Sequence, residues 1–592
     1  MCGLHGEIRF DNQQPDRQVH QRINQQLRPR GPDAEGFFAQ GPLLLGHRRL
    51  KIIDLSDASA QPFVDEAAGY AMVFNGCIYN YQELRKELEG RGHSFRSQGD
   101  TEVILRAWIE WGPDCVHRLN GMFAFALHHL SSAHTWLVRD RLGIKPLYVQ
   151  ALQGGLRFAS TLPALLASGD VDSSINPVAL HHYLSWHAVV PPPHTIVNGV
   201  QKMPPATIRH IQPDGRIQDT LYWKPEFPAD DGQRSAADWE EELHAVMRRA
   251  VDRRMVADVP VGVLLSGGVD SSLIVALLAE AGQSGLHTFS VGFDSRGDTE
   301  GDEFKYSDRV AAEFGTTHHK IPVPETEMMA ALDPTIRAMS EPMVSHDNVG
   351  FFLLSQAVSQ HLKVVQSGQG ADEIFAGYHW YPPMQHTSDP VQTYAKAFFD
   401  RDQAGMAQLL EPDWLAEPDP SQAFVRSHFD LPGAEDPVAK ALRLDTQVML
   451  ADDPVKRVDN MTMAFGLEAR VPFLDHEVVE FAARVPSQLK LADGGKGLLK
   501  SLARKLVPRE VIDRPKGYFP VPALRYLRGG LLDRLRDSLL DPQACTAGIL
   551  QRQAIEDRLA SPDDYITPLR GSEMWQIGLL ELWLREHLRG QT

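Results

Sequence analysis

The segment VPVGVLLSGGVDSSLIVALLAEAG (259–282) leaves a chain few ways to fold. An apolar run stops at Ser-Gly-Gly, and a second apolar run follows at once. The first reads as a buried strand, the Gly/Ser stretch as a tight loop, and the second run as a helix. LHTFSVGFD (286–294) follows as another strand, and HLKVVQSGQGADEIF (361–375) repeats the strand-loop-helix order. Strands alternating with helices predict a parallel α/β sheet. Residues 385–592 read as mostly helical.

The first 205 residues have a different texture. GPLLLGHRRLKIIDL (41–55), AMVFNGCIYN (71–80) and GMFAFALHHL (121–130) are short strands punctuated by Gly, Pro and Asp, with helices such as YQELRKELEGRG (81–92) between them. This mix predicts an α+β layered sandwich. ATIRHIQPDGRIQDTLYW (206–223) reads as a hairpin around Pro-Asp-Gly, and PEFPADDGQRS (225–235) as a linker. A helix starts after Ser235, with Asp238 closing a capping-box variant. The expected division is a first domain at 1–205, a hairpin and linker at 206–238, and a second domain at 239–592.

A net charge of −18 argues against a general nucleic-acid or anionic-membrane partner. The four cysteines, Cys2, Cys77, Cys115 and Cys545, show no CxxC or metal-ligand spacing, which suits a reducing compartment. No apolar run reaches the roughly 18 residues of a membrane helix, and the N-terminus lacks a basic-then-apolar leader. The expectation is a soluble, cytoplasmic protein acting on small molecules, with neither nucleic acid nor membrane as partner. A homo-oligomer is compatible with all of this.

Cys2 directly follows the initiator. If Met1 is removed, one residue carries a thiol, with an ordinary pKa of about 8.5, and an amine at about 7.7–8.0 that can take its proton. Asn75 and Gly76, at a strand end in FNGCIYN, offer a side-chain amide and a backbone N–H suited to an oxyanion hole. Arg49 in GHRRL is a fork donor for a carboxylate, and Asp100 in GDTEVIL can face an ammonium group. Together they suit an α-amino acid with a side-chain amide. Taken singly, each would pass as a turn, a surface charge, a strand cap or a helix start.

SGGVDSS (266–272) is not a Walker A loop, because no Gly-Lys-Ser/Thr ends it. Its glycines let backbone approach phosphates, the following helix N-terminus and serines donate to them, and Asp270 can hold Mg²⁺.

MCG, RGPD, GHRRL, NGxIYN and GDTEV, in this order, resemble the class II glutamine amidotransferase domain. The resemblance implies a four-layer αββα N-terminal-nucleophile fold. In it Cys2 attacks glutamine, Asn75 and Gly76 hold the oxyanion, and Arg49 and Asp100 bind the substrate's carboxylate and amine. Cys77 departs from the pattern, since asparagine synthetases usually have Glu after Asn-Gly. The second domain resembles the ATP-pyrophosphatase superfamily through SGGVDSS, SVGFD, SGQGADEIFAGY, RVDNMTMAFGLEARVPFLD (457–475) and DRPKGYF (513–519). That resemblance implies that Leu264, Ser266, Gly267, Gly268, Asp270, Ser271, Val291, Ser367 and Gly368 meet ATP. Asp270 and Asp372 would bind Mg²⁺, and Lys516 would neutralise phosphate charge.

Both domains together look like a glutamine-hydrolysing asparagine synthetase, joining released ammonia to an acyl-adenylate through an enclosed passage. Gln369 stands where that family usually has Glu, and it cannot serve as a base there, so it is a candidate acceptor-site residue. SGQGADEIFAGYHWYPP (367–383), EPMVSHDNVGFFLLS (341–355) and HRRLKIIDLSDASAQP (47–62) are similar to a related group, the N-acetylglutaminylglutamine amidotransferases, which amidate the carboxylate of an acetylated dipeptide that serves as a compatible solute. His379, Trp380 and Tyr381 would either give such an acceptor a stacking surface or pack as a helix-to-loop corner. An aspartate-using enzyme and a non-catalytic binding protein are the alternatives; the intact Cys2, Asn75, Asp270 and Asp372 speak against the latter.

Overall fold

The computed structural model describes residues 2–228, 232–293, 302–514 and 527–589. The amino-terminal half is built on two six-stranded antiparallel sheets. The first runs Gln201–Lys202, Tyr148–Leu152, Gly155–Ala159, Gly3–Arg9, Leu43–Arg49, Ala34–Gln40. The second runs Ile217–Leu221, Thr207–Ile211, Thr135–Arg139, Gly121–His129, Tyr70–Ile78, Phe63–Asp65. Alternation along each strand gives both sheets two usable faces. Leu4, Ile8 and Leu45 of the first meet Val73, Ala124 and Ala126 of the second in one apolar layer. On the outer face of the second sheet, Phe74 and Phe125 pack under Leu84, Val103 and Ile104 of the helices Tyr81–Gly90 and Asp100–Trp111. Helices Arg17–Gln26 and Leu162–Leu166 cover the first sheet through Ile23, Leu162 and Leu165. The result is the expected αββα sandwich.

The 206–223 hairpin forms at its expected place, but it is not a detached connector. Thr207–Ile211 pairs with Thr135–Arg139, so the hairpin extends the second sheet. The helix Ala236–Arg253 then begins on the Ser235–Asp238 capping box.

The carboxy-terminal half carries a five-stranded parallel sheet in the order Thr317–Val323, His287–Phe293, Val261–Leu264, Val364–Gln366, Glu468–Arg470. Strand order reverses between Val261–Leu264 and Val364–Gln366. Loops leaving the carboxyl ends of two such neighbours diverge and open a crevice, the usual ligand position in doubly wound sheets. The last strand, Glu468–Arg470, falls inside a region read as helical. Three residues carry no period that would announce them.

The halves do not merely touch. Leu50 and Ile52 pack with Val261 and Val364, the first residues of two parallel strands. Cys77 and Tyr79 enter the same apolar cluster as the helix Val269–Glu280. No helix among the described residues is long and apolar enough to cross a membrane.

Candidate active sites

Antiparallel pairing of Gly3 with Arg48 sets Cys2 beside the end of the strand Leu43–Arg49. The Leu50 N–H consequently points at the Cys2 Sγ, 3.5 Å away. Asn75, fully buried in the second sheet, accepts from the Cys2 N–H through Oδ1 at 2.9 Å. That bond turns Nδ2 the other way, and among the described residues it has no partner. A buried, unsatisfied donor next to a thiol is what an oxyanion would require. Gly76 has no room for a side chain, because a Cβ would lie 2.2 Å from the Met122 carbonyl oxygen.

Cys2, Arg49, Gly76, Cys77, Asp100 and Glu468 share one small cavity of about 30 Å³. That volume admits about one water. Arg49 is fixed by the carbonyls of Ser56, at 2.7 Å, and Asp54. Asp100, at the start of its helix, accepts from the Ile78 N–H at 3.0 Å, and burial lifts its pKa to about 6. Burial also raises the Cys2 thiol, while nearby positive charge and the Leu50 N–H pull against it. A thiol so placed needs a base to become a nucleophile.

A second cavity, about 330 Å³, opens at the reversal point of the parallel sheet. Leu264, Ser266, Gly268, Asp270, Ser271, Val291, Ser367, Gly368, Gln369 and Asp372 all line it. Gly267 does not; it makes the turn, at φ +73°, where a Cβ would stand 2.8 Å from the Ser307 backbone nitrogen. Ser266 and Ser271 hydroxyls meet at 3.1 Å and close the loop onto the helix. Phe289, Phe293, Phe351 and Leu354 form an apolar wall, and Lys496, Lys500 and Arg514 bring positive charge.

Lys496 went unnoticed in the sequence. It adopts the left-handed conformation in a Gly-Gly-Lys-Gly stretch that reads as plain loop, and its ammonium bridges Asp270 (2.7 Å) and Asp372 (2.8 Å). Burial works against that charge, but the two carboxylates raise its pKa. Asp270 and Asp372 are hard oxygen donors held close together, a set that suits Mg²⁺ carrying phosphates and waters. Among the described residues, no cluster of three metal-ligating groups occurs. Lys516 lies outside the described residues.

Trp380 and Tyr381 are not a stacking surface for an acceptor. Both are buried, and both donate to Asp445, at 2.9 and 2.6 Å, beside Tyr394. The aromatic side chains close a helical corner because burial also rewards their polar tips with a shared carboxylate.

Residues 1–223 match the glutamine amidotransferase domain model, and residues 242–585 match the asparagine synthase model. The chain is 30% identical to asparagine synthetase [glutamine-hydrolyzing] 1 of Bacillus subtilis, across 98% of this chain and 96% of that protein. It is 33% identical to a putative asparagine synthetase [glutamine-hydrolyzing] of Mycobacterium bovis, across 95% and 92%. Among solved structures, the glutamine phosphoribosylpyrophosphate amidotransferase of B. subtilis is similar at 14% identity and a TM-score of 0.31, covering 54% of this chain and 90% of that one.

Proposed function

The chain belongs to the glutamine-hydrolysing asparagine synthase family, and from that premise we propose that it uses ATP and glutamine nitrogen to amidate the C-terminal carboxylate of N-acetylglutaminylglutamine. Cys2, once amino-terminal, passes its proton to its own α-amine and attacks the glutamine side-chain amide carbon. The carbonyl oxygen takes up negative charge against Asn75 Nδ2 and the Gly76 N–H. Collapse expels ammonia, which carries off the proton, and water cleaves the remaining thioester to glutamate. Arg49 and Asp100 hold the substrate's carboxylate and ammonium.

In the second cavity the acceptor carboxylate attacks the α-phosphorus of ATP, and pyrophosphate leaves. Ammonia then displaces AMP from the acyl carbon, forming the amide. Lys496 and Lys516 offset phosphate charge, while Mg²⁺, held by Asp270 and Asp372, would supply further neutralisation. Glycines 267 and 268 and the serines of the loop bring backbone and hydroxyl donors to the phosphates.

The observation that carries the acceptor is Gln369, a neutral amide lining the cavity three residues before Asp372. An amide can hydrogen-bond the carboxamides of a dipeptide without repelling its carboxylate. Aspartate is the second reading, favoured by the activity named for the relatives. Incubation with amide-¹⁵N glutamine, ATP, Mg²⁺ and an equimolar mixture of aspartate and the dipeptide, followed by mass spectrometry, separates the two. Labelled dipeptide amide is the expected product; labelled asparagine in excess refutes the proposed acceptor.

A further inference from the structure

The loop 50–61 runs along the thiol cavity, and Leu50, Ile52, Ile53, Ser59 and Gln61 line it. Asp54 stands behind them, 7% exposed and in the left-handed region at φ +49°. A residue other than glycine persists there only where its surroundings hold it, and around Asp54 they do. Its Oδ1 accepts from the Ser56 N–H at 3.1 Å and the Ser56 hydroxyl at 2.6 Å, which closes an Asx turn. Its Oδ2 accepts from the Ser59 hydroxyl at 2.6 Å and the Gln98 N–H at 2.8 Å. Its own N–H donates to Asp258 Oδ2 at 2.7 Å, and the Asp258 N–H returns a bond to the Ile52 carbonyl at 2.9 Å.

These bonds reach both groups assigned to the substrate's α-carbon. Arg49 donates from Nη2 to the Asp54 carbonyl and from Nη1 to the Ser56 carbonyl at 2.7 Å. The remaining donors of the guanidinium are left for a carboxylate. The Asp54 carboxylate, at its other end, grips the chain at Gln98, just before Asp100. Gly99 lies so close that a Cβ on it would stand 2.4 Å from Ser59 Oγ and 3.5 Å from Asp54 Cβ. Gly99 caps the helix that begins at Asp100, so this contact sets where that helix starts. Burial pushes the Asp54 carboxyl up, but hydrogen bonds from Ser56, Ser59 and the Gln98 N–H bring it down to about 2. The side chain is therefore an anion at neutral pH, able to accept from all of these donors at once.

We infer that Asp54 is a positioning residue for glutamine hydrolysis, holding Arg49 and Asp100 at the separation of the substrate's carboxylate and ammonium. This rests on the assignment of the Cys2 cavity to glutamine hydrolysis. Asp54 acts through the two anchors and not on the substrate itself. The clasp by Asp258, just ahead of the strand Val261–Leu264, ties the same loop to the synthetase half.

The test is glutaminase kinetics on the full chain without ATP, using glutamine and two truncated amides. Glutaric acid monoamide lacks the ammonium, and 4-aminobutanamide lacks the carboxylate. Asp54→Asn keeps the size of the side chain but sets an NH₂ group against donors that already point there. KM for glutamine is expected to rise about tenfold with kcat within about twofold, the loss of one hydrogen bond to a charged group. Each truncated amide uses one anchor alone, so its kcat/KM should fall about threefold or less, and the preference for glutamine over both should shrink. Ser59→Ala removes a single bond to Oδ2 and should move KM in the same direction by a smaller factor. Ammonia-dependent amide formation and the melting temperature report whether each variant folds; should Asp54→Asn fail to fold, Ser59→Ala decides. Equal losses on all three amides overturn the inference, since they place Asp54 with the nucleophile or the fold. An unchanged KM for glutamine in folded variants overturns it too. A wild-type enzyme that does not hydrolyse glutamine at all defeats the underlying assignment and this inference with it.

Discussion

Around Cys2, the proposed roles are separable, so single substitutions should separate as well. Removing the proposed oxyanion donor with Asn75→Ala should cost about 10²–10³ in glutaminase kcat, the range for one such donor. Ammonia-dependent amide formation should persist, because the second cavity contains neither Cys2 nor Asn75. Steady-state rates with glutamine and with ammonium chloride check both expectations. Asp100 gives a pH signature. On the proposed assignment of Asp100 to the substrate's ammonium, its raised value, about 6, means that the binding carboxylate is charged above that pH and protonated below it. KM for glutamine should therefore climb as pH falls through about 6, and Asp100→Asn should flatten that limb at a uniformly high KM. Cys2, Arg49, Gly76 and Asp100 were legible because each lies in a short motif with a chemical reason to be there. Glu468 was not, because no local pattern links position 468 to position 2; only the docking of two halves brings them together.

Strand-loop-helix units were the most readable elements. The run at 261–264 is apolar on every residue, and Ser-Gly-Gly ends it, so periodicity and punctuation agree. The Ser235 helix start was equally plain, since a capping box is a local hydrogen-bond pattern. The Glu468–Arg470 strand exists only through its neighbour Val364–Gln366, and Lys496 acts from a loop whose geometry is set by a left-handed residue. Tertiary contact, not propensity, decides both. The nucleotide-loop element also yields a sharp expectation. Gly267→Ala would place a Cβ against the Ser307 backbone in the left-handed region, which costs about 1–2 kcal/mol before any displacement of the backbone. KM for ATP should rise and synthetase kcat fall, while glutaminase activity measured without ATP stays near that of the parent. Equal losses in both activities would show that the loop shapes the whole chain and not one cavity.

Across the whole chain, the two cavities lie at opposite ends of the parallel strands. The thiol cavity meets the starts of those strands through Leu50, Ile52 and Glu468. The second cavity collects the loops that leave their carboxyl ends. A four-residue strand spans about 13 Å, so on the proposed reaction nitrogen released at Cys2 has at least that distance to cover. The helix Pro454–Met463 stands along this seam and touches both sides. Asp459 takes a fork from Arg30, at 2.8 and 3.2 Å, and Lys145 at 3.1 Å, while Arg30 Nε also donates to the Cys2 carbonyl at 3.2 Å. Two residues earlier, Arg457 bonds Ser345 at 2.5 Å and approaches Asp347, which lines the second cavity. Further acids between the halves are paired as well, Asp452 with Lys202 and Glu341 with the same lysine. Burial pushes the Asp459 carboxyl up, but Arg30 and Lys145 bring it below its ordinary value. Its contribution to stability is thus fully present above about pH 4 and is lost as acid titrates through the lower folded value. Asp459→Asn keeps the shape but leaves Arg30 and Lys145 without their counter-charge, a loss of up to about 3–5 kcal/mol for a broken buried pair. The variant should melt earlier at pH 7, and the difference from the parent should shrink in acid. If the helix also couples the sites, glutamine-dependent synthesis should fall about fivefold or more relative to ammonia-dependent synthesis, the lower range of site coupling. Ammonia escaping per amide formed should then rise. Melting curves at two pH values, with ammonia and amide assayed together, check all three. A variant that loses stability yet still delivers every nitrogen would make Asp459 a clamp between the halves and not a link between their chemistries.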